Sequence, residues 1–268
     1  MEQMRYEVDG PVGRITIDRP ERRNAMSFQV MAELGQALAA AKADDGVRVV
    51  VLTGAGESAF CAGADLGGIG ENRSAGGEPR APEGSAAVHD ARGRVAGLFR
   101  ALWDLGKPTI ARVQGYCLAG GFGLALACDF VVASDDAVFG TPEIDVGLWP
   151  YMITVPLLRS MPPKKALELM LTGRRIGAEE AERIGFVNRV VPRGQLDAAV
   201  DELAATLASK SPVVLRWGRD SFYRVLDMDG DEALDYLHAM LTVTTLTDDA
   251  REGLAAFVER RKPEWTGR

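Results

Sequence analysis

Residues Val47–Leu52, VRVVVL, form a nearly continuous run of β-branched and leucine side chains. Such a run has almost no polar face, so a strand built from it has to be covered on both sides. Helices must supply the cover. Ahead of it, Val30, Met31, Leu34, Ala37, Leu38 and Ala41 recur at helical spacing behind Ser27, a residue suited to cap a helix N-terminus. Asp44-Asp45-Gly46 ends that helix, and Thr53-Gly54-Ala55-Gly56 turns the chain after the strand.

The alternation continues on both sides of this unit. Met4–Val8 and Val12–Asp18 read as strands around the turn Asp9-Gly10. Gly67–Ser85, rich in Gly, Pro, Ser and charge, reads as an exposed loop rather than a linker, because a helix over Ala91–Leu105 and a strand over Thr109–Val113 follow it. A glycine-dense turn, Gly115–Gly123, opens a small-residue helix through Cys128, followed by strands at Asp129–Ala133 and Ala137–Phe139. Lys164–Leu171, Ala178–Ile184 and Gln195–Ser209 are helical patterns, with a short strand over Phe186–Val191. Pro212–Leu226, Asp231–Leu246 and Asp248–Lys262 are helical with no strand between them. The expected organisation is a mixed α/β core over residues 1–195 and a helical region over 196–268.

Composition narrows the function classes. The chain has 268 residues, 47% hydrophobic and 26% charged, and a formal net charge of −7, which counts against a nucleic-acid partner. No apolar run approaches the ~18 residues of a spanning helix, and no basic-then-apolar leader opens the chain, so no membrane association and a cytoplasmic location are expected. Cys61, Cys117 and Cys128 lie in apolar or small-residue surroundings at no metal-ligand spacing and read as buried, reduced thiols. The two histidines, His89 and His238, are far apart and give a metal site or a histidine-based triad little material.

The glycine-rich turns are the chemical signal. Gly54–Gly63 lacks the Gly-Lys-Ser/Thr ending of a P-loop, and Gly120-Gly121-Phe122-Gly123 lacks the spacing of a dinucleotide fingerprint. Both follow strands, and a turn from strand into helix leaves backbone N–H groups unpaired at the helix start. Two such turns side by side would present converging donors to an oxygen that becomes negative during reaction.

Ser58–Leu66, SAFCAGADL, and Gln114–Ala127, QGYCLAGGFGLALA, resemble the two oxyanion-hole segments of the crotonase (enoyl-CoA hydratase/isomerase) superfamily. CDF at Cys128–Phe130, FGTPEIDVG at Phe139–Gly147, TGRRIGAEEAERIGFVNRVV within Leu171–Val191 and DAREGLAAFVERRK at Asp249–Lys262 are similar to later family segments, in the same order. The resemblance implies a spiral of ββα units with a C-terminal helical trimerisation region. It implies an acyl-CoA thioester as substrate, with no resident cofactor or metal, and assembly as a homotrimer or dimer of trimers. By position it makes the N–H groups of Ala64 and Gly120 the oxyanion donors and Glu143 the acid–base carboxylate. It assigns CoA and substrate contacts to Arg23, Ala25, Ala62, Asp65, Leu66, Gly121, Tyr151, Phe257 and Arg260.

Two departures bear on the reaction. Family hydratases carry a second glutamate just after the glycine turn, where this chain has Gly123. The family's glycine-rich run after Leu148 is replaced by Pro150-Tyr151-Met152-Ile153-Thr154-Val155. A single carboxylate leaves hydration and double-bond isomerisation both open. The alternatives are other chemistry of the fold (thioester or C–C hydrolysis, decarboxylation) and a non-catalytic acyl-CoA-binding role.

Overall fold

The computed structural model describes residues 1–65 and 84–268. Leu66 and the Gly67–Ser85 stretch as far as residue 83 therefore lie outside the described residues. The chain opens with β1 (Met4–Asp9) and β2 (Val12–Ile17), an antiparallel pair, followed by α1 (Phe28–Ala43). Ser27 caps α1 through its side chain, which accepts the Val30 N–H at 3.1 Å. The apolar face read from the spacing of Val30 to Ala41 is the buried face of that helix.

From here the chain repeats one manoeuvre. β3 (Val49–Gly54), β5 (Thr109–Val113) and β7 (Phe130–Ser134) lie in one sheet; β4 (Ala59–Cys61), β6 (Tyr116–Leu118) and β8 (Val138–Gly140) follow each of them into a second. The first sheet runs β1-β2-β3-β5-β7-β10, with β10 at Arg189–Val191; the second runs β4-β6-β8-β9, with β9 at Arg175–Gly177. Beyond the opening hairpin the large sheet is parallel, and in the small one only β9 runs against its neighbour. Helices α2 (Gly84–Trp103) and α3 (Gly120–Ala127) carry the chain back between turns of the spiral. Gly115, with φ +55°, makes one of the sheet-to-sheet corners; a Cβ there would lie 2.2 Å from the Ser58 carbonyl oxygen.

All six residues of β3 are buried, as its composition requires. Phe122 of α3, Phe139 of β8 and Phe186 form a ring cluster with centroid separations of 5.5, 5.1 and 5.3 Å. This cluster fixes α3 against β8, and each such pair contributes about 0.5–1.5 kcal/mol beyond simple burial. Cys61, Cys117 and Cys128 are buried; burial pushes the Cys61 thiol up to about 12 and the other two further above the ordinary thiol range. Thiols held protonated in this way are poor nucleophiles.

After β8 come α4 (Thr154–Ser160), α5 (Pro163–Thr172) and α6 (Ala178–Ile184), then α7 (Leu196–Ala208), α8 (Pro212–Val225), α9 (Gly230–Thr245) and α10 (Asp248–Glu259). α7 packs on the outer face of the large sheet through Leu196, Ala199, Val200 and Ala204. Some elements differ from the sequence reading. β4, β6 and β9 are three residues each, too short to show a period, and exist because neighbouring strands pair them. Of Phe186–Val191, only Arg189–Val191 pairs in the sheet, while Phe186 and Val187 turn into the core.

α8 is latched to the core through one carboxylate. Asp129 Oδ2 accepts from Thr109 N (2.7 Å), Thr109 Oγ1 (3.0 Å) and Arg219 Nε (2.8 Å), and its Oδ1 accepts from the Tyr223 hydroxyl (2.5 Å). Arg219 also donates to the carbonyls of Leu102 and Trp103 at the end of α2. Both charged partners are nearly buried, so removing one leaves the other uncompensated. Asp129→Ala is expected to destabilise the chain by about 3–5 kcal/mol, measured by denaturant unfolding.

Candidate functional site

The site begins in the tight loop after β2. Arg23 and Asn24 both take left-handed backbone conformations, at φ 50° and 56°. Asn24 is fully buried and holds the loop in place: its Nδ2 donates to the carbonyls of Ala55 (2.9 Å) and Ala59 (2.7 Å), and its Oδ1 accepts the Arg19 N–H (3.0 Å). The loop then zips onto the segment after β4. Ala62 N–H donates to Arg23 O (3.1 Å), Met26 N–H to Gly63 O (2.8 Å), and Asp65 N–H to Met26 O (3.0 Å). Arg19 clasps both strands, its guanidinium donating to Ala25 O at 2.7 Å and Asp65 Oδ2 at 2.8 Å.

Pairing of Met26 with Ala64 uses the Gly63 carbonyl as acceptor and the Asp65 N–H as donor, not the N–H of Ala64 itself. Among the described residues nothing accepts the Ala64 N–H, and Ala64 is exposed. The second turn is built around Ala119, whose φ of 51° and ψ of −129° are strained for a residue with a Cβ, costing about 1–3 kcal/mol. Its N–H donates to Gly140 O at 2.9 Å, and the next peptide presents the Gly120 N–H at the start of α3, again without an acceptor among the described residues.

The two turns touch. Gly63 has φ +100°, and a Cβ on it would lie 2.7 Å from the Ala119 Cβ. The residues that follow these contact points are Ala64 and Gly120. Glycine is also required at 121, where a Cβ would lie 2.3 Å from the Cys61 carbonyl oxygen. At 120 a Cβ would lie 2.5 Å from Met26 Cε, so the methionine fills the space beneath the turn.

Glu143 enters from the third segment. The carbonyl that receives the Ala119 N–H belongs to Gly140, the last residue of β8, and a 3₁₀ turn over Pro142–Val146 begins two residues later. Gly147 closes this turn with φ 73°, and Leu148 N–H donates to the Glu143 carbonyl at 2.9 Å. Glu143 is half-buried, and its Oε2 is buried without a hydrogen-bond partner among the described residues. Burial raises its carboxyl above the ordinary range, a hydrogen bond from its own backbone N–H opposing the shift. A partnerless carboxylate of this kind is poised to exchange a proton.

The other sequence-derived residues are placed unequally. Arg23 reaches over the Tyr116 ring, its guanidinium carbon 5.5 Å from the centroid. Arg23, Ala25, Ala62 and Asp65 are brought together with Ala64, and Gly121 lies beside Gly120. Leu66 is outside the described residues. Tyr151 is 74% exposed, in a run of exposed apolar residues that includes Val146, Leu148 and Met152. Phe257 and Arg260 sit at the end of α10, which packs on α8 and α9, and no described side-chain contact joins them to the loop. His89 and His238 are exposed. Sequence reasoning missed Arg19, and it missed what fills the space at Gly123. A Cβ at 123 would lie 2.4 Å from Ile153 Cγ2 and 2.7 Å from Phe99 Cζ.

A cavity of about 230 Å³ opens elsewhere, between α4 and α8, lined by Trp103, Cys128, Arg159, Phe222 and Tyr223 among others. None of Ala64, Gly120 or Glu143 borders it, so it is separate from the site built above. Among the described residues no cluster of His, Cys, Asp or Glu could hold a metal ion, and no helix is long and apolar enough to cross a membrane.

Comparison with known proteins covers nearly the whole chain. The family model for enoyl-CoA hydratase/isomerase matches residues 7–268. The carnitinyl-CoA dehydratase of Salmonella arizonae is 37% identical over 271 residues, covering 99% of each chain, and that of Escherichia coli K12 is 37% identical over 272 residues, covering 100% of this chain and 99% of its own. The crystal structure of an enoyl-CoA hydratase from Mycobacterium smegmatis superposes with a TM-score of 0.90 at 32% identity over 98% of both chains. One from Bacillus anthracis gives 0.90 at 32% identity over 99% of this chain and 100% of its own. The paired glycine turns, the spiral that brings them together and these whole-length matches lead to one conclusion: the chain belongs to the enoyl-CoA hydratase/isomerase family and is a crotonase-fold enzyme acting on acyl-CoA.

Proposed function

We propose that this enzyme moves a proton within an enoyl-CoA thioester, using Glu143 as its one acid–base group and the N–H groups of Ala64 and Gly120 as an oxyanion hole. The observation that carries the reading is the tether between these parts: Gly63 against Ala119, and Ala119 N–H on the Gly140 carbonyl. Among the described residues, it sets two unclaimed N–H donors and a partnerless buried carboxylate oxygen in neighbouring segments.

The chemistry follows from the parts. With a 3-enoyl thioester bound, the Glu143 carboxylate takes a proton from C2. The C–H electron pair delocalises onto the thioester oxygen, where two backbone donors stabilise the developing charge. Return of that proton to C4 shifts the double bond from C3–C4 to C2–C3. No water is consumed and no oxidant is needed. Arg23, Ala25, Ala62, Asp65 and Leu66 would bind the CoA portion, with Gly121 allowing close approach of the backbone and Tyr151 bordering the acyl end. Phe257 and Arg260 would meet the nucleotide end. Exposed Leu234, Leu241, Leu254 and Phe257 on α9 and α10, with Leu246 between them, support assembly as a homotrimer or dimer of trimers, since apolar surface of this extent is usually covered.

A second reading, reversible hydration, is favoured by the similarity to carnitinyl-CoA dehydratases. Purified enzyme with crotonyl-CoA and with a 3-enoyl-CoA separates the two: gain of conjugated-thioester absorbance from the 3-enoyl substrate is expected, and loss of it from crotonyl-CoA alone would overturn isomerisation in favour of hydration.

Three outcomes are expected. Glu143→Gln lowers kcat by at least about a hundredfold in steady-state assays, as for loss of a general base. In the wild type kcat rises with pH through a midpoint above the ordinary carboxylate range, because the ionised form of Glu143 is the base and burial raises its pKa. The same shift has a sign in stability. A carboxyl whose folded pKa is raised stabilises the fold fully below its unfolded pKa and loses that contribution as pH rises through the folded value. The Tm advantage of Glu143→Gln over wild type is therefore larger at pH 8 than at pH 4, by thermal melts.

A further inference from the structure

The two places where this chain departs from its family's pattern, Gly123 and the Pro150–Val155 segment, are in contact. Ile153 is 3% exposed and Phe99 is 2% exposed, and both reach into the volume that a side chain at 123 would occupy. The Cβ of any residue there would lie 2.4 Å from Ile153 Cγ2, and 3.0 Å from Ile153 Cβ. The second of these is not the free end of a flexible chain, so a larger residue cannot be accepted by a small rotation. α3 is buried from Gly121 to Ala127, which leaves it no room to shift as a body.

Position 123 matters because of where it points. Side chains on a helix tilt toward its N-terminus, and residues three apart share a face. A side chain at 123 would therefore lean over the turn that presents the Gly120 N–H. A side chain there would sit one turn along α3 from that donor, on the same face. In this chain hydrocarbon fills that space.

We infer that Ile153 and Phe99 form a plug that determines the outcome of the reaction, by denying the site a second acid–base group and a polar berth for water. The inference rests on the single-base reading above. Addition of water to a double bond needs a group to take a proton from water while a proton is delivered to carbon. Beside the plug, among the described residues, only Glu143 is available for both. A water molecule held ready for attack needs two or more polar partners, and Ile153, Phe99 and Gly123 present no polar side chain. A proton taken by Glu143 is then shielded from exchange until it returns to the substrate. Ile153 and Phe99 are specificity-determining residues in this account.

The test uses wild type, Gly123→Glu, Ile153→Ser and the double variant, followed by thermal melts, by turnover of a 3-enoyl-CoA and by hydration of crotonyl-CoA. Gly123→Glu alone is expected to lower the thermal transition, because a carboxylate is forced into occupied apolar space. Ile153→Ser vacates that space. The double variant should melt close to Ile153→Ser and hydrate crotonyl-CoA at least about tenfold faster than wild type. A Gly123→Glu protein that melts like wild type would overturn the plug, as would a folded double variant that hydrates no faster than wild type. Should the double variant fail to fold, turnover of the 3-enoyl substrate in D₂O decides instead. Ile153→Ser is expected to incorporate at least about threefold more deuterium into product than wild type, and equal incorporation would count against the proposal. Exchange of the α-proton of butyryl-CoA by the wild type needs Ala64, Gly120 and Glu143 but neither water addition nor a double bond. Its absence would sink the single-base reading itself, by a measurement independent of the plug variants.

Discussion

One hydrogen bond, from Ala119 N–H to the carbonyl of Gly140, joins the second glycine turn to the strand that leads into Glu143. Because β6 and β8 pair in parallel with Leu118 opposite Gly140, this bond continues the ladder one residue past β6. Ala119 also carries the contact to Gly63 and the strained backbone that turns the next N–H outward. The two glycine turns and the strand that leads to Glu143 thus meet at a single residue whose conformation is unfavourable in isolation. The surrounding structure overcomes that cost through the Phe122–Phe139–Phe186 cluster, which clamps α3 onto β8 on the other side of the turn.

The same arrangement sets the environment of Glu143. A surface glutamate would be solvated and ionised well below neutral pH. Here the 3₁₀ turn closed by Gly147 holds one carboxylate oxygen out of water and gives it no partner. Burial without a partner disfavours the ionised form and raises the carboxyl above its ordinary range. Arg19 plays the opposite part: its charge is fully engaged by Asp65 and the Ala25 carbonyl, so it stiffens the first turn. Arg19 is thus paired while one Glu143 carboxylate oxygen is left without a partner among the described residues.

The latch at Asp129 has a related consequence. Arg219 and Tyr223 of α8 converge on a carboxylate that also holds the start of β5 through Thr109. The helical C-terminal part is thereby fastened to the strand preceding the second donor turn. The apolar faces of α9 and α10 stay exposed while the site itself is braced from within the chain.

Much of this was legible in the sequence because it is local. Helix α1 follows from its apolar spacing and Ser27, and β3 from a nearly continuous apolar run; the two glycine-bearing turns and the segment of Glu143 are likewise short local motifs. What the sequence could not decide is set by contacts between distant segments. The strands β4, β6 and β9 exist only because partners pair them. Gly123 reads in sequence as a missing glutamate, an absence open to many explanations. Only the folded chain places Ile153, thirty residues on, and Phe99, from the preceding helix, in the space that a side chain there would need. Steric complementarity across the core leaves no periodic trace along the chain.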